Sequence, residues 1–198
     1  VDPGRTVVVE TRDAFDGQLS PQSTAADVAR LDLGPVHPLT GPIYVNGAAP
    51  GDLLEIKLLN IECDPWDAWG YTVEVPGFGF LRDLFPEPYI VHWNLYGDYA
   101  ESPQLPGVRI HAAPFPGIAG LAPSTALRGE VTRREADLAA RGGFALLPDP
   151  AGAVPPHGPI AEQGLRTIPP RETGGNIDIK HLTPGASMML PVYVEGGL

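Results

Sequence analysis

Twenty-four glycines and twenty-four prolines punctuate this chain of 198 residues, roughly twice the ordinary combined share. Proline removes a backbone donor and glycine loosens the chain, so long regular elements are disfavoured. Both residues are scattered between apolar segments without forming a repeat. The expected fold is therefore a set of short strands joined by many turns. At 43% hydrophobic and 19% charged residues, the composition is that of a soluble globular protein, long enough for one well-buried core.

Residues 6–11 (TVVVET) are β-branched and apolar enough for a strand, broken by Asp13-Ala14-Phe15-Asp16-Gly17. Residues 20–33 suit a short helix or irregular loop, with Ser23 and Thr24 as caps. Residues 43–45 read as a short strand. Residues 52–61 (DLLEIKLLNI) give the clearest strand, with Leu54, Ile56 and Leu58 on one face, half-buried in an antiparallel sheet. Residues 64–100 read as an aromatic, turn-rich loop in which Phe78 and Phe80 wall a pocket or cover a satellite core. Residues 108–111 suit a strand and 130–141 (EVTRREADLAAR) a helix ended by Gly142-Gly143; a Pro-rich loop follows over 145–159. Residues 187–194 (SMMLPVYV) read as an edge strand because of Pro191. Together these predict a mainly-β architecture, a β-sandwich or barrel-like fold with one or two short helices. It forms one domain over residues 1–198, with a Pro/Gly-rich excursion around 124–168.

A net charge of −11 argues against a nucleic-acid-binding surface, which needs clustered Lys and Arg. No apolar run has the length needed to cross a bilayer. The single cysteine, Cys63, excludes an internal disulfide and a multi-thiol metal motif, and points to a reducing, cytoplasmic setting. Its acidic neighbours Glu62 and Asp64 oppose thiolate formation. Ser124 and Ser187 lack a Gly-x-Ser-x-Gly elbow, and the chain has neither a phosphate loop nor a dinucleotide fingerprint.

The candidate chemistry centres on residues 169–180, Pro169-Pro170-Arg171-Glu172-Thr173-Gly174-Gly175-Asn176-Ile177-Asp178-Ile179-Lys180. Adjacent glycines permit close backbone approach. Asn176 and Asp178, two apart, point to one side if the chain is extended. An amide then sits beside a carboxylate that can bind a metal, orient water or take a proton. The alternative is a turn in which both Asx side chains bond their own backbone. Asp13 and Asp16 form an Asp-x-x-Asp-Gly pattern, a partial cation loop or a solvated turn. None of His37, His92, His111, His157 and His181 shows the i, i+4 spacing of a helical zinc pair. His181 lies three residues after Asp178 and is a candidate ligand in the same site.

Four segments taken together resemble the acetamidase/formamidase family of amide hydrolases. They are Val7 to Gln18; Leu39-Thr40-Gly41-Pro42-Ile43-Tyr44-Val45-Asn46-Gly47-Ala48, running into Pro50-Gly51-Asp52-Leu53-Leu54; Pro114 to Pro123; and Pro169 to Asp178, continuing to Gly185 and Leu190-Pro191-Val192. Their order and spacing match across nearly the whole chain. The resemblance implies hydrolysis of a short aliphatic amide (formamide or acetamide type) to carboxylate and ammonia, on a mainly-β fold. It places the site around the Gly-Gly-Asn-x-Asp segment and implies a divalent cation, with zinc one choice. His181 falls where the family varies. The family's pattern runs past Val194 into Gly-Asp-x-His and Gln-Gly-Asp-Gly-Glu segments, so an incomplete domain is expected. Its partner would be another copy in a homo-oligomer, or a complementary chain supplying the remaining segment.

On this reading Asp178 is a metal ligand or general base, with His181 as a second ligand. Asn176 and nearby N–H groups meet the oxyanion, and Asp13 is a second carboxylate. Thr40, Gly41 and Gly175 line the substrate site, and Phe80 with Phe78 limits substrate length. Two alternatives stay open: a non-catalytic β-domain, and a hydrolase of another carbonyl–nitrogen substrate such as a lactam or urea-like compound.

Overall fold

A computed structural model describes residues 1–63, 68–153 and 155–197. The chain divides into two compact units, one built from Val1–Asp16, Leu33–Leu59 and Phe115–Leu198, the other from Gly17–Asp32 and Asn60–Pro114.

The first unit is organised by two antiparallel strand pairs. Strand β1 (Leu53–Lys57) pairs with β8 (Ser187–Pro191), setting Leu54 opposite Leu190 and Ile56 opposite Met188. Leu54 and Ile56 turn inward while Leu53, Glu55 and Lys57 stay exposed, the alternation read from the sequence. Pro191 sits at the last ladder position, opposite Leu53, where a missing donor is tolerated. The second pair is β6 (Ile118–Gly120) with β7 (Gly174–Asn176).

Between β6 and β7 runs helix α2, Thr125–Ala140, longer than expected and starting earlier. Its start is set by Ser124, whose side chain accepts from the Leu127 N–H at 3.2 Å and so satisfies an otherwise orphaned donor. Leu127 and Val131, one turn apart, are its buried residues. Gly142, at φ +78°, follows its end. The expected Pro-rich loop contains a short 3-10 turn, Pro150–Gly152, and a four-residue helix, labelled α3, at Pro159–Glu162.

Arg134 on α2 grips Glu172 with two bonds of 2.6 and 3.0 Å. Hydrogen bonding from Arg134 pulls the Glu172 carboxyl down from 4.5 to about 2. A depressed carboxyl favours folding above its unfolded value and loses that contribution as pH falls. The tie between α2 and this turn should weaken between pH 4.5 and about 2. Because both side chains are substantially exposed, salt should reduce the effect. Amide exchange across residues 134 and 172 at stepped pH checks this, and Glu172→Gln should flatten the response.

In the second unit, α1 (Ala25–Val28) carries a capping box, Thr24 with Asp27, as the Ser23-Thr24 pattern led one to expect. Strands β2 (Trp69–Glu74), β3 (Tyr89–Leu95), β4 (Tyr99–Glu101) and β5 (Arg109–His111) form one antiparallel sheet in sequence order. Parts of what read as an aromatic loop over 64–100 are therefore sheet, namely β2, β3 and the first two residues of β4; positions 64–67 of that segment lie outside the described residues. Turn residues such as Pro76-Gly77 dominated the sequence pattern, whereas cross-strand neighbours such as Tyr71 opposite His92 supply the pairing. His92 accepts from Trp69 Nε1 at 3.2 Å and donates through Nε2 to the Ser23 carbonyl at 2.9 Å, tying α1 to β3.

Residues 6–11 and 43–45 form no strand. Among the described residues no backbone hydrogen bond involves Val7, Val8 or Val9, and Val8 is 94% exposed. Their neighbours are tied only at points: Asn46 N–H to the Val1 carbonyl, Thr40 Oγ1 to the Glu10 carbonyl, Val45 N–H to the Gly196 carbonyl. β-branched composition makes a strand only where a partner ladder satisfies the backbone.

Candidate functional site

The site grows from the contact of two glycine-bearing strands in the first unit. Gly174 has φ +90°, and a Cβ there would lie 2.6 Å from the Ala119 carbonyl oxygen. A Cβ on Gly120 would come 2.8 Å from the Gly175 nitrogen. The two backbones approach closely because neither position carries a side chain. Past β7 the chain turns back sharply, with the N–H groups of Ile177 and Asp178 both donating to the Gly117 carbonyl, at 3.0 and 3.1 Å. Asp178 takes φ +46°, a left-handed conformation that Asp and Asn tolerate better than other side chains.

Gly117 is where the two polar side chains converge. A Cβ on it would sit 3.0 Å from Asp178 Oδ1 and 4.0 Å from Asn176 Oδ1, so both oxygens face one bare patch of backbone. Asn176 is half-buried and donates through Nδ2 to the Ile168 carbonyl at 2.9 Å. That bond turns its oxygen toward Gly117 and Asp178. Asp178 itself is exposed.

The structure adds a residue that spacing did not single out. His37 lies within electrostatic reach of Asp178 and of Arg166. Burial lowers its imidazole below the ordinary value; the Asp178 charge opposes that shift and the Arg166 charge adds to it. Burial thus favours the neutral ring. Its Nδ1 is buried without a hydrogen-bond partner among the described residues. Thr167 fixes the backbone of His37 at both ends, its hydroxyl accepting from the His37 N–H at 2.7 Å and donating to the His37 carbonyl at 2.8 Å. Arg166 Nη2 donates to the Leu33 carbonyl and, at 3.4 Å, to the Val36 carbonyl. These contacts join residues 130 or more positions apart, so no local pattern announces them; the nearest signal is that His37 leads into Leu39-Thr40-Gly41-Pro42.

The Asp13 carboxylate accepts from the Phe15 N–H at 3.0 Å, and the Asp16 N–H donates to the Asp13 carbonyl, so Asp13 to Asp16 form an Asx turn. Asp16 in turn pairs with Arg12. Thr40 is exposed with its hydroxyl donating to the Glu10 carbonyl at 2.7 Å, and Gly41 is exposed beside it. Phe80 is fully exposed and belongs to the second unit. His181 is exposed. Gly175, half-buried in β7, lies one residue before Asn176.

Antiparallel short strands carrying a Gly-Gly-Asn-x-Asp turn, with a carboxylate and an amide oxygen facing one glycine and the His37 imidazole within electrostatic reach, define a mainly-β chain. The sequence model of the Acetamidase/Formamidase family matches residues 1–198, and the chain belongs to that family. It is 38% identical to an acetamidase of Mycolicibacterium smegmatis and 38% identical to a formamidase of Methylophilus methylotrophus, covering all of this chain and 54% and 52% of those proteins. Among solved structures it is similar to a gamma lactamase from Delftia acidovorans, with a TM-score of 0.95 and 36% identity over the whole chain and 52% of that one. An acetamidase from Bacillus halodurans superposes with a TM-score of 0.71 at 28% identity, again over 52% of its chain. The chain thus spans about half the length of the relatives it matches.

Proposed function

We propose that this chain carries the Asp178 site of an amidase that hydrolyses short aliphatic amides to carboxylate and ammonia. The observation supporting it most is the convergence of Asp178 Oδ1 and Asn176 Oδ1 on Gly117 in a chain 38% identical to an acetamidase and to a formamidase. Asn176 donates to Ile168 and directs its oxygen to the site, so it suits the substrate's N–H better than the oxyanion expected from the sequence. Asp178 takes a proton from water as its oxygen adds to the carbonyl carbon. It returns that proton to nitrogen as the carbon–nitrogen bond breaks, releasing ammonia and the acid. In its neutral form, which burial favours, His37 does not compete for the carboxylate as an ion-pair partner.

The expected divalent ion, zinc included, fits these residues only in part. Asp178 and His37 offer one oxygen and one nitrogen, but among the described residues no three His, Cys, Asp or Glu side chains form a metal-holding group. A catalytic zinc takes three protein ligands.

Covering of the exposed apolar residues Val8, Leu39, Leu53 and Met189 by further polypeptide, a complementary chain or a second copy, belongs to this reading. So does a cytoplasmic setting, supported by the lone free Cys63; no helix among the described residues is long and apolar enough to cross a membrane. A second reading, lactam opening, is favoured by the likeness to the gamma lactamase. Incubating the purified natural protein with formamide, acetamide and a five-membered lactam separates the two. Ammonia from the linear amides supports the first, ring opening alone supports the second, and turnover of none overturns both.

A further inference from the structure

The excursion between β6 and β7 reaches into the site through one buried ion pair. The side chains of Arg171 and Glu135 are 10% and 13% exposed, far less than those of the other ion pairs among the described residues. Arg171 Nε donates to Glu135 Oε1 at 2.8 Å and Nη2 to Oε2 at 3.1 Å, a two-pronged fork onto α2. The remaining prong, Nη1, donates to the Arg166 carbonyl at 2.7 Å. Through its backbone Arg171 also exchanges bonds of 2.8 and 2.9 Å with Gly174, the first residue of β7.

Arg171 therefore holds three parts at once. One is α2. The second is the Arg166-Thr167 segment, whose side chains clasp residues 33–37. The third is β7, which leads into Asn176 and Asp178. A buried charge pair contributes little net stability compared with apolar residues of the same volume. A planar fork with all its prongs engaged does fix orientation, and lysine cannot reproduce it.

We propose that the Glu135–Arg171 pair is a brace that fixes the residue 33–37 segment against β7 and the turn bearing Asp178, making Arg171, Glu135 and Thr167 positioning residues for this site. The proposal rests on the Asp178 reading above. It also explains why the Pro/Gly-rich excursion carries a long helix, since α2 is the fixed support to which both halves of the site are tied.

The test combines hydrogen exchange by mass spectrometry with amide kinetics on the natural protein. Arg171→Lys keeps the charge and removes the fork. It should speed exchange by about tenfold or more in residues 33–40 and 174–178, with β1 and β8 unchanged, as expected of a local opening. Thr167→Val should do so around His37 alone, and Thr167→Ser should restore protection. For the enzyme, kcat should fall by about tenfold or more with KM held, as expected of residues that act through the segments they hold. Unchanged exchange at 33–40 in both Arg171→Lys and Thr167→Val overturns the brace, as does acceleration spread equally over β1 and β8. Faster local exchange at wild-type turnover supports the brace and removes the His37–Asp178 site from the chemistry, so the two failures are told apart.

Discussion

Replacement of Asp178 by Asn should lower kcat for amide hydrolysis by about 10²–10⁴-fold, the usual worth of a positioned acid–base group, while the melting temperature holds. The substitution suits this position. Asn matches Asp in shape and tolerates the left-handed φ of +46° as well as Asp does, so the two backbone bonds to the Gly117 carbonyl remain. What disappears is the negative charge and the ability to take a proton. Steady-state kinetics on acetamide beside a thermal melt measure both sides. Near-normal turnover in a folded variant would remove Asp178 from the mechanism. A folding defect as large as the kinetic one would make the residue structural.

The second large effect is expected at Gly174. An alanine there must accept φ +90° and place its Cβ 2.6 Å from the Ala119 carbonyl oxygen and 3.1 Å from Gly120 Cα. Neither obstacle is a flexible side chain, so the β6–β7 contact has to open. Backbone strain of about 1–3 kcal/mol and overpacking of about 1–3 kcal/mol add to a loss of roughly 2–6 kcal/mol, a large share of a typical domain's stability. Gly47→Ala is the matched control: its φ is +80° but nothing lies within 4 Å of the added carbon, so it carries strain without collision. Urea midpoints of the two variants should differ by the clash alone. Equal midpoints would mean that the close approach of these strands is dispensable.

Local features were readable in the sequence. The inward face of β1 followed from its alternation, the cap of α1 from Thr24, and the Gly-Gly-Asn-x-Asp turn from its own composition. Failures came where a partner decides. Residues 6–11 have strand composition but no ladder, while β2 to β4 pair through side chains that look like loop aromatics when taken singly. His37 illustrates the same limit in the site: it comes within electrostatic reach of Asp178 through a fold that returns Arg166 and Thr167 to it from far along the chain. Neither spacing nor composition encodes that meeting. Family resemblance pointed to the segment around Asp178 and not to His37.

The bare valines at positions 7, 8 and 9 have a practical meaning. Among the described residues their amides and carbonyls have no backbone partners, and their branched side chains favour pleating, which suits this segment to pair with the further polypeptide proposed to cover Val8. A lysine at position 8, which is 94% exposed here, would put a charge into that seam and weaken the pairing.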